Sequence, residues 1–424
     1  MKLSLNNGKV FVQGKLIGAS IAMENGKISE ISSKKISTPK EMDCTGKIIL
    51  PAAIDVHVHF RCPGLDYKED WVSGSLAALH GGVATVMDMP NTNPPTTTAD
   101  ALEEKRGIAS KDAAVNFDLY MAATEGNLPE IEKAAQKGLR AVKLYYGSTT
   151  GDILLNQTEQ IKKLFNLSKK FGFVVVVHAE DEEEIKKNSL KFKSRNDPAV
   201  HEKIRTDIAE EKAIKELIKL QEKIGNRLHI AHLSSKKGLE AVKKGKKGRF
   251  GKSVTCEVTP NHLFLDDTNY KKLGNWIKCN PSIKKSSDRK ALWKGMVDGS
   301  IDIVATDHAP HSPSEKAKGY WDCPSGIPGV ETMLPLLLDA ANRKKIPLAR
   351  VVEVVCENPA RIFNWPKKGH IRTGFDADIV IVDMKRQYNI ENDGLFTKAG
   401  YSPFNGWKLK GFVEKTIVGG NVFG

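Results

Sequence analysis

Eight short apolar runs alternate with helix-like segments through the middle of the chain, between about residue 50 and residue 357. Apolar runs of about four to eight residues bounded by turn signals are typical of buried parallel strands, and longer segments with helical periodicity are typical of helices. The predicted strands are 50–57, 83–88, 115–121, 139–146, 173–178, 227–232, 254–258 and 301–306. The predicted helices include 71–80, 99–109, 156–171, 207–224, 288–299 and 348–357.

This alternation predicts an α/β protein built on a (β/α)8 TIM barrel rather than an open sheet. The first strand is not followed by a glycine-rich dinucleotide fingerprint, which counts against a Rossmann fold. Both ends of the chain contain short strands, and neither end has enough of them for a stable sheet. We therefore expect a catalytic barrel over residues 51–365 and one small β-sandwich-like module assembled from residues 1–50 and 366–424. Asn-Gly pairs at 7–8 and 25–26 predict hairpin turns in the first part of that module.

The composition is that of an ordinary globular protein, with 424 residues, of which 40% are hydrophobic and 27% are charged. There is no run of 18 apolar residues and the N-terminus is too polar for a signal peptide, so a cytoplasmic protein is expected. The six cysteines show no CxxC spacing and are expected to be reduced.

The formal net charge of +14 comes mostly from lysine. Nucleic-acid binding would explain such a charge, but no recognition motif with interleaved aromatic residues accompanies it. A solvated lysine-rich surface is the simpler interpretation, and its field would also draw anionic substrates toward a cleft.

His57 and His59 are the first sign of a site, because residues two apart on a strand point to the same face. Two imidazoles on one face are half of a metal site, although they also occur in ordinary strands. Further ligand-type residues fall at the ends of other predicted strands, where barrel enzymes carry their chemistry. These residues are Lys143, His178, His232 and Asp307.

Four histidines and one aspartate exceed the protein ligands that one catalytic zinc ion normally takes. Two metal ions with a bridging anion would use them all, activating a water and polarising a carbonyl. This chemistry predicts hydrolysis at a carbonyl carbon, or its reverse. Asp307 could also shuttle the proton, or it could simply cap a helix after the eighth strand, although no convincing helix follows it.

The remaining histidines are given simpler interpretations. His80, His201, His229 and His370 are predicted to be surface or packing residues rather than ligands. For His262, just beyond the seventh strand, the sequence leaves open whether it supports a ligand from behind or only packs.

Three segments, 55–64 (DVHVHFRCPG), 89–92 (MPNT) and 307–311 (DHAPH), resemble dihydroorotases of the amidohydrolase superfamily. The segment 329–336 (GVETMLPL) extends the match. The chain resembles both the stand-alone bacterial enzymes and the dihydroorotase domain of the animal multifunctional pyrimidine protein. The resemblance implies reversible cyclisation of N-carbamoyl-L-aspartate to (S)-dihydroorotate and water, in de novo pyrimidine biosynthesis. In the hydrolytic direction, a metal-bridging hydroxide would attack the ring amide carbonyl.

The resemblance also implies two zinc ions per subunit. One would be held by His57, His59 and Asp307, and the other by His178 and His232, with Asp307 as general acid and base. Some family members bridge the metals with a carboxylated lysine and others with an aspartate, and this chain offers both Lys143 and Asp152. The local sequence resembles the carboxylated branch, so Lys143 is the predicted bridge. A lysine that only snorkels at the barrel rim is the alternative.

A carboxylate clamp for the substrate is predicted at Arg61, whose fork can donate two charge-assisted hydrogen bonds. By resemblance, Asn91 and His311 supply the other carboxylate contacts. Asn280 matches a ring contact of the bacterial enzymes, although the animal domain has an arginine there.

Two loops are predicted to complete the substrate site. Ser325 and Gly326 would offer backbone contacts, although their loop departs from the bacterial pattern. The segment 146–152 is predicted to be a mobile lid that presents Thr149 to the substrate, with a plain turn as the alternative.

Two other functions compete with this prediction. A hydantoinase, dihydropyrimidinase or allantoinase would share the barrel and the metals, but its substrate ring would leave Arg61 without a carboxylate. A catalytically dead relative would serve as a scaffold, for example for aspartate carbamoyltransferase, yet all the ligand-type residues are present. An active enzyme could also associate with that carbamoyltransferase, and no interface or oligomeric state can be identified from the sequence.

Overall fold

The computed structural model describes residues 2–148 and 153–424, and eight parallel strands form its central barrel. In chain order, strands 1 to 8 are Ala53–Val58, Val83–Asp88, Asn116–Leu119 with its continuation Met121–Ala122, Ala141–Tyr145, Val174–His178, Arg227–Ile230, Val254–Val258 and Ile303–Val304. Each strand pairs in parallel with the next one along the chain. The predicted (β/α)8 barrel is confirmed.

The barrel closes between strand 8 and strand 1, where Val58 and His308 form a parallel bridge. Asp55 fastens this seam from inside, because its carboxylate accepts hydrogen bonds from the Thr306 hydroxyl, the Thr306 backbone N–H (3.1 Å) and the His57 backbone N–H (3.2 Å). The same seam therefore holds the segments of His57 and Asp307 side by side.

Helices cover the outside of the barrel and the connections at its ends. Their bounds are Trp71–His80, Ala99–Asp112, Leu128–Gln136, Thr158–Phe171, Glu182–Lys191, His201–Ile204, Asp207–Ile224, Lys236–Gly245, Pro260–Phe264, Tyr270–Leu273, Ser286–Val297, Pro313–Lys316, Met333–Asn342, Leu348–Val352 and Asn358–Ile362. The predicted helices 71–80 and 207–224 begin where Asp70 and Thr206 accept hydrogen bonds from backbone N–H groups of the first turn. Among the described residues, none of these helices is both long and apolar enough to cross a membrane.

Both ends of the chain contribute to one eight-stranded sheet, as predicted. Its strands are Lys2–Val12, Lys15–Glu24, Lys27–Ser32, Lys40–Asp43, Ile48–Pro51, Ile379–Asn389, Lys408–Val418 and Asn421–Phe423. Ile48–Pro51 joins the two halves, because it pairs with Lys2–Val12 on one side and with Ile379–Asn389 on the other. The predicted module boundaries at residues 50 and 366 stay predictions.

One predicted hairpin turn is wrong. Asn7 and Gly8 lie inside the strand Lys2–Val12, where the register shifts and Asn7 has a φ of 63°. The turn of this hairpin lies at Gln13 and Gly14 instead, with φ values of 48° and 80°. An Asn-Gly pair favours positive φ, which a β-bulge requires as much as a hairpin turn does. The turn predicted at Asn25 and Gly26 is confirmed.

A buried ion pair between Asp88 and Lys105 links strand 2 to the segment that follows strand 1. Asp88, at the end of strand 2, accepts a hydrogen bond from the backbone N–H of Phe60 (2.6 Å). Phe60 is the residue between His59 and Arg61 in the chain. Lys105 lies 2.5 Å from the other carboxylate oxygen and donates to the Met89 carbonyl. Both side chains are almost completely buried.

We expect Lys105→Met to lower the free energy of unfolding by about 3–5 kcal/mol, because it leaves the Asp88 carboxylate buried without its cation. Urea titration followed by circular dichroism measures this change. Lys111→Met, at an exposed position of the same helix, is the matched control and should change stability by less than about 0.5 kcal/mol. Equal unfolding midpoints for the two variants would contradict the account.

Candidate metal centre and substrate cavity

One cavity lies at the ends of the barrel strands and collects most of the predicted site residues. It is lined by His57, His59, Arg61, Asn91, Lys143, Tyr145, His178, His232, Asn280, Asp307, Ala309, Ser325 and Gly326. His311 lies behind Arg61 rather than in the lining. Thr149 and Asp152 lie outside the described residues, as does most of the predicted lid 146–152.

The tautomers of three imidazoles follow from the groups behind them. His57 Nδ1 faces the Glu257 carboxylate, His59 Nδ1 lies 2.6 Å from the Asn91 side-chain oxygen, and His178 Nε2 lies 3.0 Å from a Glu180 oxygen. Each of these oxygens can only accept a hydrogen bond, so the facing ring nitrogen carries the proton. The opposite nitrogen of each ring is thereby turned toward the cavity, where a ring that carries a single proton presents a lone pair.

These lone pairs converge on one another and on a carboxylate. The Asp307 Oδ1 atom lies 3.0 Å from His59 Nε2 and 3.3 Å from His57 Nε2. His178 Nδ1 lies 3.1 Å from His232 Nε2. Ligand atoms of His57, His232 and Asp307 all lie within 4.8 Å of one another. Imidazole nitrogens and a carboxylate oxygen gathered this closely are the ligand types that zinc and similar ions take, so this donor set fits a metal centre.

The protonation states suit metal ligands. Burial lowers the pKa of His59 to about 3, and it lowers the pKa of His178 and of His232 as well, so these rings are neutral at physiological pH. Burial by itself would raise the pKa of Asp307, yet the neighbouring His57 and His59 hold that pKa below its usual range. The set therefore combines neutral imidazoles with an ionised carboxylate, which is the form that binds metal.

Lys143 is completely enclosed in strand 4, and its Nζ lies 3.4 Å from His57 Nε2. Burial lowers the pKa of its ammonium group to about 8. A fraction of this lysine is thus a neutral amine beside the ligand cluster.

The backbone at three site residues adopts a conformation that side chains rarely take. Arg61, His232 and Asp307 have φ values of 64°, 35° and 47°, in the left-handed region. All three lie just after barrel strands, where the chain turns out of the sheet. Backbone strain of this kind concentrates at functional sites, because the surrounding structure must hold it in place.

Arg61 forms a buried cationic wall of the cavity. Its side chain is 2% exposed, and it donates to the Pro310 carbonyl through Nε (3.2 Å). Lys68 donates to His311 Nδ1 (3.1 Å), and His311 Nε2 donates to the Ser325 carbonyl (3.1 Å). Within residues 2–148 and 153–424, no carboxylate forms an ion pair with Arg61. The wall is therefore suited to an anionic group of a ligand.

Sequence reasoning missed the carboxylates that orient the ligands. Glu257, in strand 7, faces His57 and also accepts from His229 Nε2 (3.1 Å) and from the backbone N–H of His232 (3.1 Å). Glu180 supports His178 and pairs with Arg205 at 2.6 Å. The sequence did contain a signal for each of them. Glu257 is an acidic residue inside an apolar strand, and Glu180 lies two positions after the ligand-type residue His178.

The other histidines lie outside the cavity lining. His229 is buried against Phe363 and Glu257, whereas His80 and His370 are partly exposed and pair with glutamates. His262 is held between Thr259 and the Pro281 carbonyl, which leaves it a packing role. His201 is buried next to Asn280, so the prediction that it belongs to the surface or to packing overlooked a contact with the cavity.

Comparisons with known proteins agree with this geometry. A model of the amidohydrolase family matches residues 48–423. The chain is 37% identical to a dihydroorotase of Methanosarcina acetivorans, over 99% of this chain and 91% of that protein. It is 39% identical to a dihydroorotase of Halobacterium salinarum, over 88% of this chain and 85% of that protein. The structure of L-hydantoinase (dihydropyrimidinase) from Arthrobacter aurescens is similar with a TM-score of 0.95 and 30% identity, over 99% of this chain and 95% of that one.

We expect Glu257→Gln to weaken metal binding by about 10- to 100-fold, because the amide cannot satisfy the donors of His57, His229 and His232 together. Metal content after dialysis against graded chelator concentrations measures the loss. Glu240→Gln, on an exposed helix position, is the control and should retain metal like the unaltered protein. Identical retention by the two variants would contradict the orienting role of Glu257.

Proposed function

Because the chain belongs to the amidohydrolase family, we propose that its cavity catalyses the dihydroorotase reaction. This reaction is the reversible cyclisation of N-carbamoyl-L-aspartate to (S)-dihydroorotate and water, a step of de novo pyrimidine biosynthesis. The archaeal relatives named dihydroorotase support it, since they match along most of their own length. The observation that carries the proposal is the buried Arg61 beside the ligand cluster.

Arg61 distinguishes substrates that differ in one group. Dihydroorotate carries a carboxylate outside its ring, whereas hydantoin and the plain dihydropyrimidines do not. A buried guanidinium without an anion is unfavourable, so a ring lacking that carboxylate would leave Arg61 uncompensated. Asn91, in the cavity lining, is proposed to complete the carboxylate contacts. His311 is proposed as a further contact, for which its ring would have to release the Ser325 carbonyl and move out from behind Arg61.

Two zinc ions are proposed for the metal centre, one held by His57, His59 and Asp307 and the other by His178 and His232. The division is supported by two short contacts, Asp307 with His57 and His59 on one side and His178 with His232 on the other, within one continuous cluster. When bound, the metals would supply an activated water at neutral pH and polarise the substrate carbonyl.

Lys143 is the proposed bridge between the metals, as a carboxylated lysine. Its neutral amine would form an N–C bond with CO2 and release one proton, giving an anionic carbamate with two oxygens. Support comes from its complete burial, which disfavours a charged ammonium, and from the 3.4 Å distance between Nζ and His57 Nε2, an atom of the proposed metal site. Asp152, the competing bridge, lies outside the described residues.

Asp307 is the proposed general acid and base. Its carboxylate is ionised and lies next to the ligand nitrogens, on the floor of the cavity. In hydrolysis it would accept the proton of the attacking water and deliver it to the leaving ring nitrogen. In cyclisation the same carboxylate would carry the proton in the opposite direction.

Four further residues are proposed to contact the substrate: Asn280, Thr149, Ser325 and Gly326. Gly326 has a φ of 154°, and a Cβ atom there would lie 2.4 Å from the Ala309 carbonyl oxygen. Only glycine fits this position, which brings the backbone itself against the cavity. The carbamoyltransferase partner and the cytoplasmic location stay predictions.

The rival function is that of a hydantoinase, which the likeness to the Arthrobacter aurescens enzyme favours. Initial rates of ring opening for dihydroorotate, hydantoin and allantoin discriminate between the two. We expect dihydroorotate to have the highest kcat/KM. A preference for hydantoin or allantoin would overturn the proposal, and a protein that retains no metal after reconstitution would favour a non-catalytic scaffold.

We expect Arg61→Ala to lower kcat/KM for dihydroorotate by about one to two decades, because a charge-assisted hydrogen-bonded pair contributes about 1.5–3 kcal/mol. Metal content should not change, since Arg61 is not a ligand. Any residual activity on hydantoin, which lacks the carboxylate, is the internal control and should fall less. Unaltered kinetics with dihydroorotate would show that Arg61 is not the clamp.

A further inference from the structure

Three of the segments that connect barrel strands to the following elements meet at one edge of the cavity. They carry His201 after strand 5, Asn280 after strand 7 and Tyr320 after strand 8. The His201 side chain is 3% exposed and belongs to none of the ligand groups. Asn280 lines the cavity, so this edge connects His201 to the space where a substrate would bind.

The hydrogen bonds of His201 determine its tautomer. Its Nε2 atom lies 2.8 Å from the Cys279 carbonyl oxygen and 3.1 Å from the Asn280 side-chain oxygen. Both oxygens only accept, so Nε2 carries the proton and Nδ1 accepts from the Tyr320 hydroxyl at 2.9 Å. The resulting chain of donors runs from Tyr320 to His201, whose Nε2 proton is shared between the Cys279 carbonyl and the Asn280 side-chain oxygen.

The protonation of His201 is fixed by its surroundings. Burial lowers its pKa well below the usual value, and the nearby cations of Arg205 and Lys278 lower it further. The ring is therefore neutral, and only one arrangement of its single proton satisfies all three partners.

The donor end of the chain is held rigidly. The Tyr320 backbone N–H donates to the Asn196 side-chain oxygen (2.8 Å), and Lys278 Nζ donates to the Tyr320 carbonyl (2.6 Å). The same ammonium lies 4.4 Å from the centre of the Tyr320 ring. Tyr320 thus gives His201 a fixed partner on one side of the ring, opposite the contact with Asn280.

We propose that His201 is a positioning residue for the substrate, acting through the orientation of the Asn280 amide. By holding the amide oxygen, His201 turns the N–H2 end of Asn280 toward the ligand, so this edge of the cavity recognises an acceptor oxygen. An unrestrained amide could rotate and present either end. On the dihydroorotase reaction proposed above, on which this inference rests, the acceptor is the ring carbonyl oxygen that is not attacked.

A double-mutant cycle tests the coupling. His201→Phe keeps a ring of similar size but removes the donor, and Asn280→Ala removes the amide. We expect each single variant to lose about ten-fold in kcat/KM, mainly through KM, with unchanged metal content. The double variant should lose no more than Asn280→Ala alone, because both substitutions remove one interaction. His201→Gln, which retains an N–H donor, should recover part of the loss.

Two results would overturn the proposal: unaltered kinetics of His201→Phe, or losses that add in the double variant. Should His201→Phe fail to fold, an analogue with sulfur in place of the unattacked ring oxygen tests the unaltered protein. The weaker acceptor should bind less tightly, and equal affinity would contradict the proposal. The cycle is run with the cyclic amide that the protein prefers, so a preference for hydantoin would refute the dihydroorotase reaction and leave the coupling measurable.

Discussion

The fixed orientation of the histidine rings at the ends of the barrel strands is the constraint on which the site depends. His57, His59 and His178 each turn one ring nitrogen to a fixed acceptor, so their other nitrogens face the cavity. Together with Asp307 they form a buried cluster of nitrogen and carboxylate ligands that fits a metal cation. The groups behind the rings, and Glu257 above all, therefore determine what the cavity can bind.

Buried polar contacts of the barrel hold the site residues in this arrangement. Asp55 joins strand 8 to strand 1, and the Asp88–Lys105 pair anchors the loop between His59 and Arg61. These buried polar groups hold positive φ values at Arg61 and Asp307 that an isolated turn would not favour. The rigid barrel thus fixes the positions of the site residues at the ends of its strands, as in other barrel enzymes.

Much of this organisation could be predicted from the sequence, because buried parallel strands and their terminal ligands leave a local signature. The strands around Lys143 and His178 agree with the predicted ones to within about two residues. Other features depend on contacts distant in the chain. Glu257 lies 200 residues from His57, and His201 acquires its role only when the loop of Tyr320 packs against it. The helix Met333–Asn342 is buried on nearly every side, so its sequence lacks the periodicity that distinguishes surface helices. The hairpin turn predicted at Asn7–Gly8 was wrong because a β-bulge and a hairpin turn require the same positive-φ backbone conformation.

The most direct test of this account is a crystal structure of the zinc-loaded protein with dihydroorotate, using anomalous scattering to locate the metals. The account predicts two ions, one among His57, His59 and Asp307 and one between His178 and His232. It also predicts density beyond Nζ of Lys143 that reaches both ions, and the substrate carboxylate against Arg61. A single ion, an unmodified Lys143 amine, or a carboxylate bound away from Arg61 would contradict it.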